Sequence, residues 1–243
     1  MIFFFKKKPI VVDAFVSEKF SHVYEFSKID HAKKFLPQWW KDMSTPEFDF
    51  ASMQRKQTAK TCRGIIDHYL HGFMIPLWAD LAIKFTDRPA AKFSDNVSTV
   101  SLHPPELRNN IYPDCINLKI HSPWLLKSKK DLYFNYLPAF YNKTKYTSWE
   151  VLPGTVDFYY QHGSHINLFI PNQPFESMIE FGTPIAHIVP LTEEEVSIKC
   201  HLISNIEWES LNGVSSNEIS FTKKYLNMKR ATELVSKCPF HRS

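Results

Sequence analysis

A chain of 243 residues, 44% of them hydrophobic, can bury a sizeable core as one large β domain or two small ones, and 20 Phe against 6 Gly argue for packed aromatic faces over flexible linkers. A net charge of +4, spread over Lys6–Lys8, Lys127–Lys130 and Lys223–Arg230, gives no basic stripe of the kind nucleic acid demands. The four cysteines, Cys62, Cys115, Cys200 and Cys238, lie too far apart for a zinc ribbon or a disulfide scaffold, and no apolar run approaches the roughly 18 residues of a membrane span. Met1–Phe5 is shorter than the apolar region of a signal peptide, so the chain reads as soluble and made in a reducing cytoplasm.

In chain order, Ile2–Phe5 and Ile10–Val16 read as strands. Asp30 can cap a short helix over His31–Phe35, and Gln38–Met43 forms the next turn, carrying Trp39 and Trp40. Adjacent tryptophans point different ways on a helix, so one is expected in the core while the other covers a seam or offers a stacking platform. Glu47–Lys60 is polar and irregular. Ile65, Ile66, Tyr69 and Leu70 give Cys62–His71 one apolar helical face, and Gly72 is placed to stop it. Cys62 at that helix start is a candidate thiol, weighed against an inert buried cysteine. Phe73–Phe85 then reads as a long apolar strand broken at Pro76, containing Trp78 and an Asp80 that must be exposed, paired or hydrogen-bonded.

From Val97 the pattern is β throughout. Val97–His103 and Cys115–His121 alternate on either side of a proline-containing loop, Ser122–Trp124 ends the second of them, and Leu132–Pro138 starts another strand. Asn142–Thr147 is a polar turn. Between Val151 and Leu191 come Thr155–Tyr160 and His165–Ile170, expected to pair as a hairpin about Gln161–Ser164, and then the strands Met178–Phe181 and Ile185–Val189, together a compact β meander. Val196–Ser204 alternates again, and Asn217 can cap a helix over Glu218–Lys237 whose Phe221, Tyr225, Met228 and Leu234 share a face. The expected architecture is a single mainly β domain of α+β type, a sandwich or a barrel (cupin-like or β-clip-like), with a few short packed helices. Its parts are a mixed strand and helix region over 1–90, a β core over 97–204 and a C-terminal helix over 216–237.

Four segments carry a resemblance: FLPQWWKDM at 35–43, TCRGIIDHYLHGFMIPLWADL at 61–81, IHSPWLLKS at 120–128, and VLPGTVDFYY with the later FGTPIAHIVP. Together they make the chain resemble an uncharacterised family of tailed phages infecting marine bacteria (cyanophage-type), with distant bacterial relatives. The chain departs from that pattern at Arg63 and Phe158. The resemblance implies a phage origin, in the host cytoplasm or the virion, and supplies no reaction.

Three kinds of chemistry compete. His162, His165 and His187, with Asp157 nearby, are the candidate metal ligands of a cupin or oxygenase site, because imidazole and carboxylate leave open positions on iron or another divalent metal. Against it, histidines three apart on a strand face opposite ways. Pro153–Asp157 and Gly182–Ala186 look like the hairpin and return strand of trimeric dUTPases, but no acidic pair beside an arginine and no glycine-rich arm accompany them, which leaves at most nucleotide binding. The leading reading is a protein without catalysis or cofactor, a virion component or protein-binding module. Its contact candidates are Trp39, Trp40, Trp78, Asp80, Trp124 and Asp157, its partner is another protein or a second copy of itself, and it is expected to form defined oligomers without bound metal.

Overall fold

In the computed structural model the described residues are 8–45, 47–55, 57–86, 89–103, 114–143, 149–159 and 162–212. The expected strand at Ile2–Phe5, the loop over 104–113 and the helix over Glu218–Lys237 lie outside them.

The chain begins with strand β1 (Ile10–Ser17), where Ile10, Val12, Ala14 and Val16 face inward and the residues between are half-buried, the period of two a pleated strand imposes. Helix α1 (Ser21–Phe26), β2 (Asp30–His31), a 3-10 turn over Ala32–Phe35 and α2 (Gln38–Asp42) follow. The polar stretch after them holds a small hairpin, β3 (Phe48–Asp49) with β4 (Gln54–Arg55), then α3 (Arg63–Leu70). Next come β5 (Phe73–Pro76), β6 (Leu81–Phe85), β7 (Pro89–Phe93), β8 (Thr99–Leu102), β9 (Cys115–His121), β10 (Leu125–Ser128) and β11 (Tyr133–Pro138). A 3-10 turn over Phe140–Asn142 precedes β12 (Glu150–Val151), β13 (Gly154–Asp157), β14 (Ile166–Pro171), β15 (Phe175–Ile179), β16 (Pro184–Pro190), β17 (Val196–Ile203) and α4 (Asn205–Asn212).

These strands make a mainly β fold with short helices. Four sheets, ordered β10-β1-β17, β13-β11-β16-β5-β2, β12-β14-β9-β8 and β15-β6-β7, contribute to one apolar cluster, into which point Val12, Phe134, Ile120, Leu168, Ile83 and Ile188. No sheet closes on itself among the described residues, so the barrel form of the expectation gives way to packed open sheets. Among the described residues pairing is antiparallel except between β1 and β17, the first and last strands, which run parallel from Ile10↔Val196 to Ser17↔Ile203.

Three local expectations are corrected. The run Phe73–Phe85 is two strands in two sheets, because Pro76 offers no N–H and the Leu77–Asp80 turn is captured by other backbone: Leu77 N–H donates to the Thr183 carbonyl and Gly182 N–H to the Leu77 carbonyl, each at 2.8 Å. The expected hairpin does not form. β13 pairs with β11, the Phe158 and His162 carbonyls then accept from Ser128 and Leu126 on β10, and β14 pairs with β9 and β12. The segment is therefore no meander, because its successive strands join different sheets. Finally, Asp30 lies in β2 and its carboxylate accepts from His31 N–H at 2.7 Å, while the turn after it has no side-chain cap.

Candidate functional site

The residues expected at a site divide by burial. Trp78 and Trp124 are fully buried, Trp78 stacked on Phe93 with ring centroids 5.6 Å apart, so neither is a contact surface; these two of the largest side chains fill the space where sheets meet. Asp80 is half-buried and accepts from Phe181 N–H at 2.7 Å, and buried Asp157 accepts from Tyr159 N–H at 2.9 Å; both carboxylates organise turns. Trp39 and Trp40 remain near the surface on α2.

The three histidines are not brought together. His162 is buried and donates from Nδ1 to the Leu126 carbonyl at 3.2 Å; burial, with Lys127 nearby, lowers its pKa. His165 lies opposite His121, ring centroids 4.9 Å apart, on the polar face of the β12-β14-β9-β8 sheet, where Ser101 Oγ lies 2.8 Å from His121 Nε2 and His103 Nε2 lies 2.7 Å from Asn167 Oδ1. Burial above all, then Lys119 and His121, pushes His165 down to about 3. His187, on β16, packs instead against His68 of α3. Among the described residues no group of three or more His, Cys, Asp or Glu is arranged to hold a metal ion. The metal expectation for His162, His165 and His187 as one ligand set is thus corrected. The physical reason is the lost hairpin: without it, nothing folds residue 162 back onto residue 165, and residue 187 belongs to another sheet.

What the fold does assemble is a ring cluster where α2, α3, β16 and the Phe140–Asn142 turn meet. Tyr69, from the apolar face of α3, is 3% exposed and donates from its hydroxyl to Asn142 Oδ1 at 3.0 Å, while Asn142 Nδ2 donates to the Phe35 carbonyl. Trp39 Nε1 donates to the Tyr141 carbonyl at 2.9 Å. Trp39 meets Trp40 edge-on at 5.8 Å, Tyr141 meets Phe140 edge-on at 5.7 Å, and Trp40 and Tyr141 each approach Tyr69 at 6.5 Å. His68 meets Tyr141 edge-on at 5.3 Å and His187 at 4.4 Å. The inner rings are buried, but Trp39 is 38% and Phe140 61% exposed, so the cluster opens onto the surface.

Electrostatically the cluster holds neutral groups. Burial lowers the pKa of His68, burial and then Tyr141 raise that of Tyr69, and burial brings His187 down to about 4 against the opposing His71 carbonyl. Its acid–base groups are therefore uncharged near neutral pH, and the cluster presents aromatic surface with hydrogen-bonded anchors. His68, Phe140 and Tyr141 escape a reading of the sequence. The visible signal is His68 beside Tyr69 on a helix whose apolar face is legible; that Tyr141 meets it is tertiary.

No protein-family model matches the chain, and no curated protein matches it. Among solved structures the chain is similar to a dUTPase mutant of Staphylococcus bacteriophage 80alpha with dUpNHpp, at a TM-score of 0.30 and 11% identity over 71% of this chain and 85% of that one. At that score the likeness carries neither a fold nor an activity to this chain.

Proposed function

We propose that this is a phage-encoded, non-catalytic protein, a virion component or a protein-binding module of the infected cell, whose contact surface is the open side of the cluster around Trp39 and Phe140. The observation that supports it is the combination of exposure and order: Trp39, Tyr141 and Phe140 form a contiguous patch in which Trp39 is tied down by its indole hydrogen bond. Large aromatics supply most of the energy at protein contacts, and a side chain already held in place loses little freedom on binding. Of the partners such a patch suits, a second copy of the chain needs no further component and is the one proposed.

Hydroxyl-radical footprinting at low and high protein concentration tests it residue by residue. Oxidation of Trp39, Phe140 and Tyr141 is expected to fall several-fold at high concentration while exposed Phe26, on α1, stays reactive. Equal reactivity of the patch at both concentrations contradicts the proposal.

A further inference from the structure

Two imidazole nitrogens are left without partners at one place in the interior. His187 is 1% exposed, and its Nε2 donates to the His71 carbonyl at 2.7 Å, which leaves the lone pair on Nδ1; that atom is buried and makes no hydrogen bond. His68 Nε2 is also buried and unbonded, and the two rings meet edge-on with centroids 4.4 Å apart. A buried polar nitrogen without a partner is costly, so two of them on separate elements whose rings touch require an explanation.

The way His187 is held narrows the answer. An imidazole whose far N–H is fixed by a backbone carbonyl is the form in which histidine ligates a metal. The carbonyl reaches the ring because Gly72 has φ +75° and no side chain: a Cβ there would stand 2.7 Å from His187 Nε2 and 2.5 Å from the Ile188 carbonyl oxygen. Two imidazoles each about 2.0–2.1 Å from one zinc-class ion place their ring centroids about 4.5 Å apart at a right-angled N–metal–N and about 5.2 Å apart at the tetrahedral angle, so from 4.4 Å the rings move apart by several tenths of an ångström when the ion binds. Imidazole nitrogen suits zinc, copper, nickel and iron.

We infer that His68 Nε2 and His187 Nδ1 together bind one divalent transition-metal ion of the zinc class, clipping α3 to β16 beneath Tyr69 and Tyr141. With two protein ligands the coordination is incomplete and the affinity is modest. The clip is structural, and its failure would leave the protein-contact reading untouched.

The test uses the full chain without a tag, stripped by a chelator and titrated with Zn²⁺ and with Co²⁺, whose visible absorption reports nitrogen ligation. One ion per chain is expected, with a higher Tm when it is bound. His68→Phe, which keeps the ring contacts of a half-exposed residue, and His68→Gln are each expected to weaken binding at least tenfold, while His165→Ala binds as the wild type does. Circular dichroism establishes that the variants fold. No uptake by the wild type, or uptake and Tm shift unchanged in both His68 variants, overturns the inference.

Discussion

His187 shows how much one side chain can report. Its folded pKa of about 4 lies below the roughly 6.5 of an exposed histidine, so the unfolded chain takes up a proton that the folded chain refuses. The stability this withholds is fully present above pH 6.5 and falls as pH drops toward 4. At pH 5 the loss from His187 is about 2 kcal/mol, and half-buried His165 adds a loss in the same direction. Urea denaturation of the metal-free protein at pH 7 and pH 5 checks this, and a midpoint that does not move would contradict it. The glycines at 72 and 182 make a second comparison. Both have positive φ, +75° and +77°, but a Cβ on Gly182 meets nothing within 4 Å, whereas one on Gly72 runs into the Ile188 carbonyl. Gly182→Ala is expected to cost about 1–2 kcal/mol, the left-handed penalty alone, and Gly72→Ala clearly more, since backbone must move as well. Thermal unfolding of the two variants decides it, with equal losses as the contrary result.

Between elements, turns carry much of the specificity. The break between β5 and β6 depends on Asp80, whose carboxylate accepts from Phe181 N–H and whose carbonyl accepts from Ser94 N–H at 2.8 Å. Removing the carboxylate in Asp80→Ala is expected to lower stability by about 1–2 kcal/mol, while Asp80→Asn, which keeps an acceptor, loses less; chemical denaturation separates them. Strand existence was largely legible in the sequence, because alternation in β1, β9, β14 and β17 is a local property of half-buried strands. Partner choice was not. The hairpin rule joins neighbours in sequence, but the carbonyls that follow β13 are claimed by β10, a strand hidden in Leu125–Ser128 because its Lys127 belongs to what reads as a basic run. β7 was missed for a related reason: it begins at Pro89, a residue that signals a turn, and pairs with β6 from the edge of its sheet. Of the candidate site, the adjacent pair Trp39 and Trp40 predicts one core residue and one near the surface, yet the short helix α2 buries neither. That Tyr141, about a hundred residues on, completes their patch, and that His187 turns to His68 rather than to His165, depend on sheet order, to which no local pattern has access.

At the scale of the whole molecule, β1 and β17 close the fold by pairing its first and last described strands in parallel, an arrangement fixed by His201 Nε2 lying 2.8 Å from Asp13 and its ring stacked on Phe15 at 5.1 Å. Helix α4 then turns back, with Trp208 Nε1 donating to the Pro123 carbonyl at 3.0 Å. Among the described residues most buried apolar side chains share one core of four sheets, a smaller cluster of Ala32, Tyr69, Met74 and Ala139 forms apart from it, and no helix is long and apolar enough to cross a membrane. On the proposed reading, the exposed rings of Trp39 and Phe140 are the surface through which the chain meets a second copy. The most direct measurement is the mass in solution, by sedimentation velocity over a range of concentrations, of the wild type beside Trp39→Ala combined with Phe140→Ala. A wild type heavier than the 28.5 kDa single chain, with the double variant folded and at the single-chain mass, is the predicted result. A wild type that stays at 28.5 kDa throughout, or a double variant that associates just as the wild type does, would contradict it.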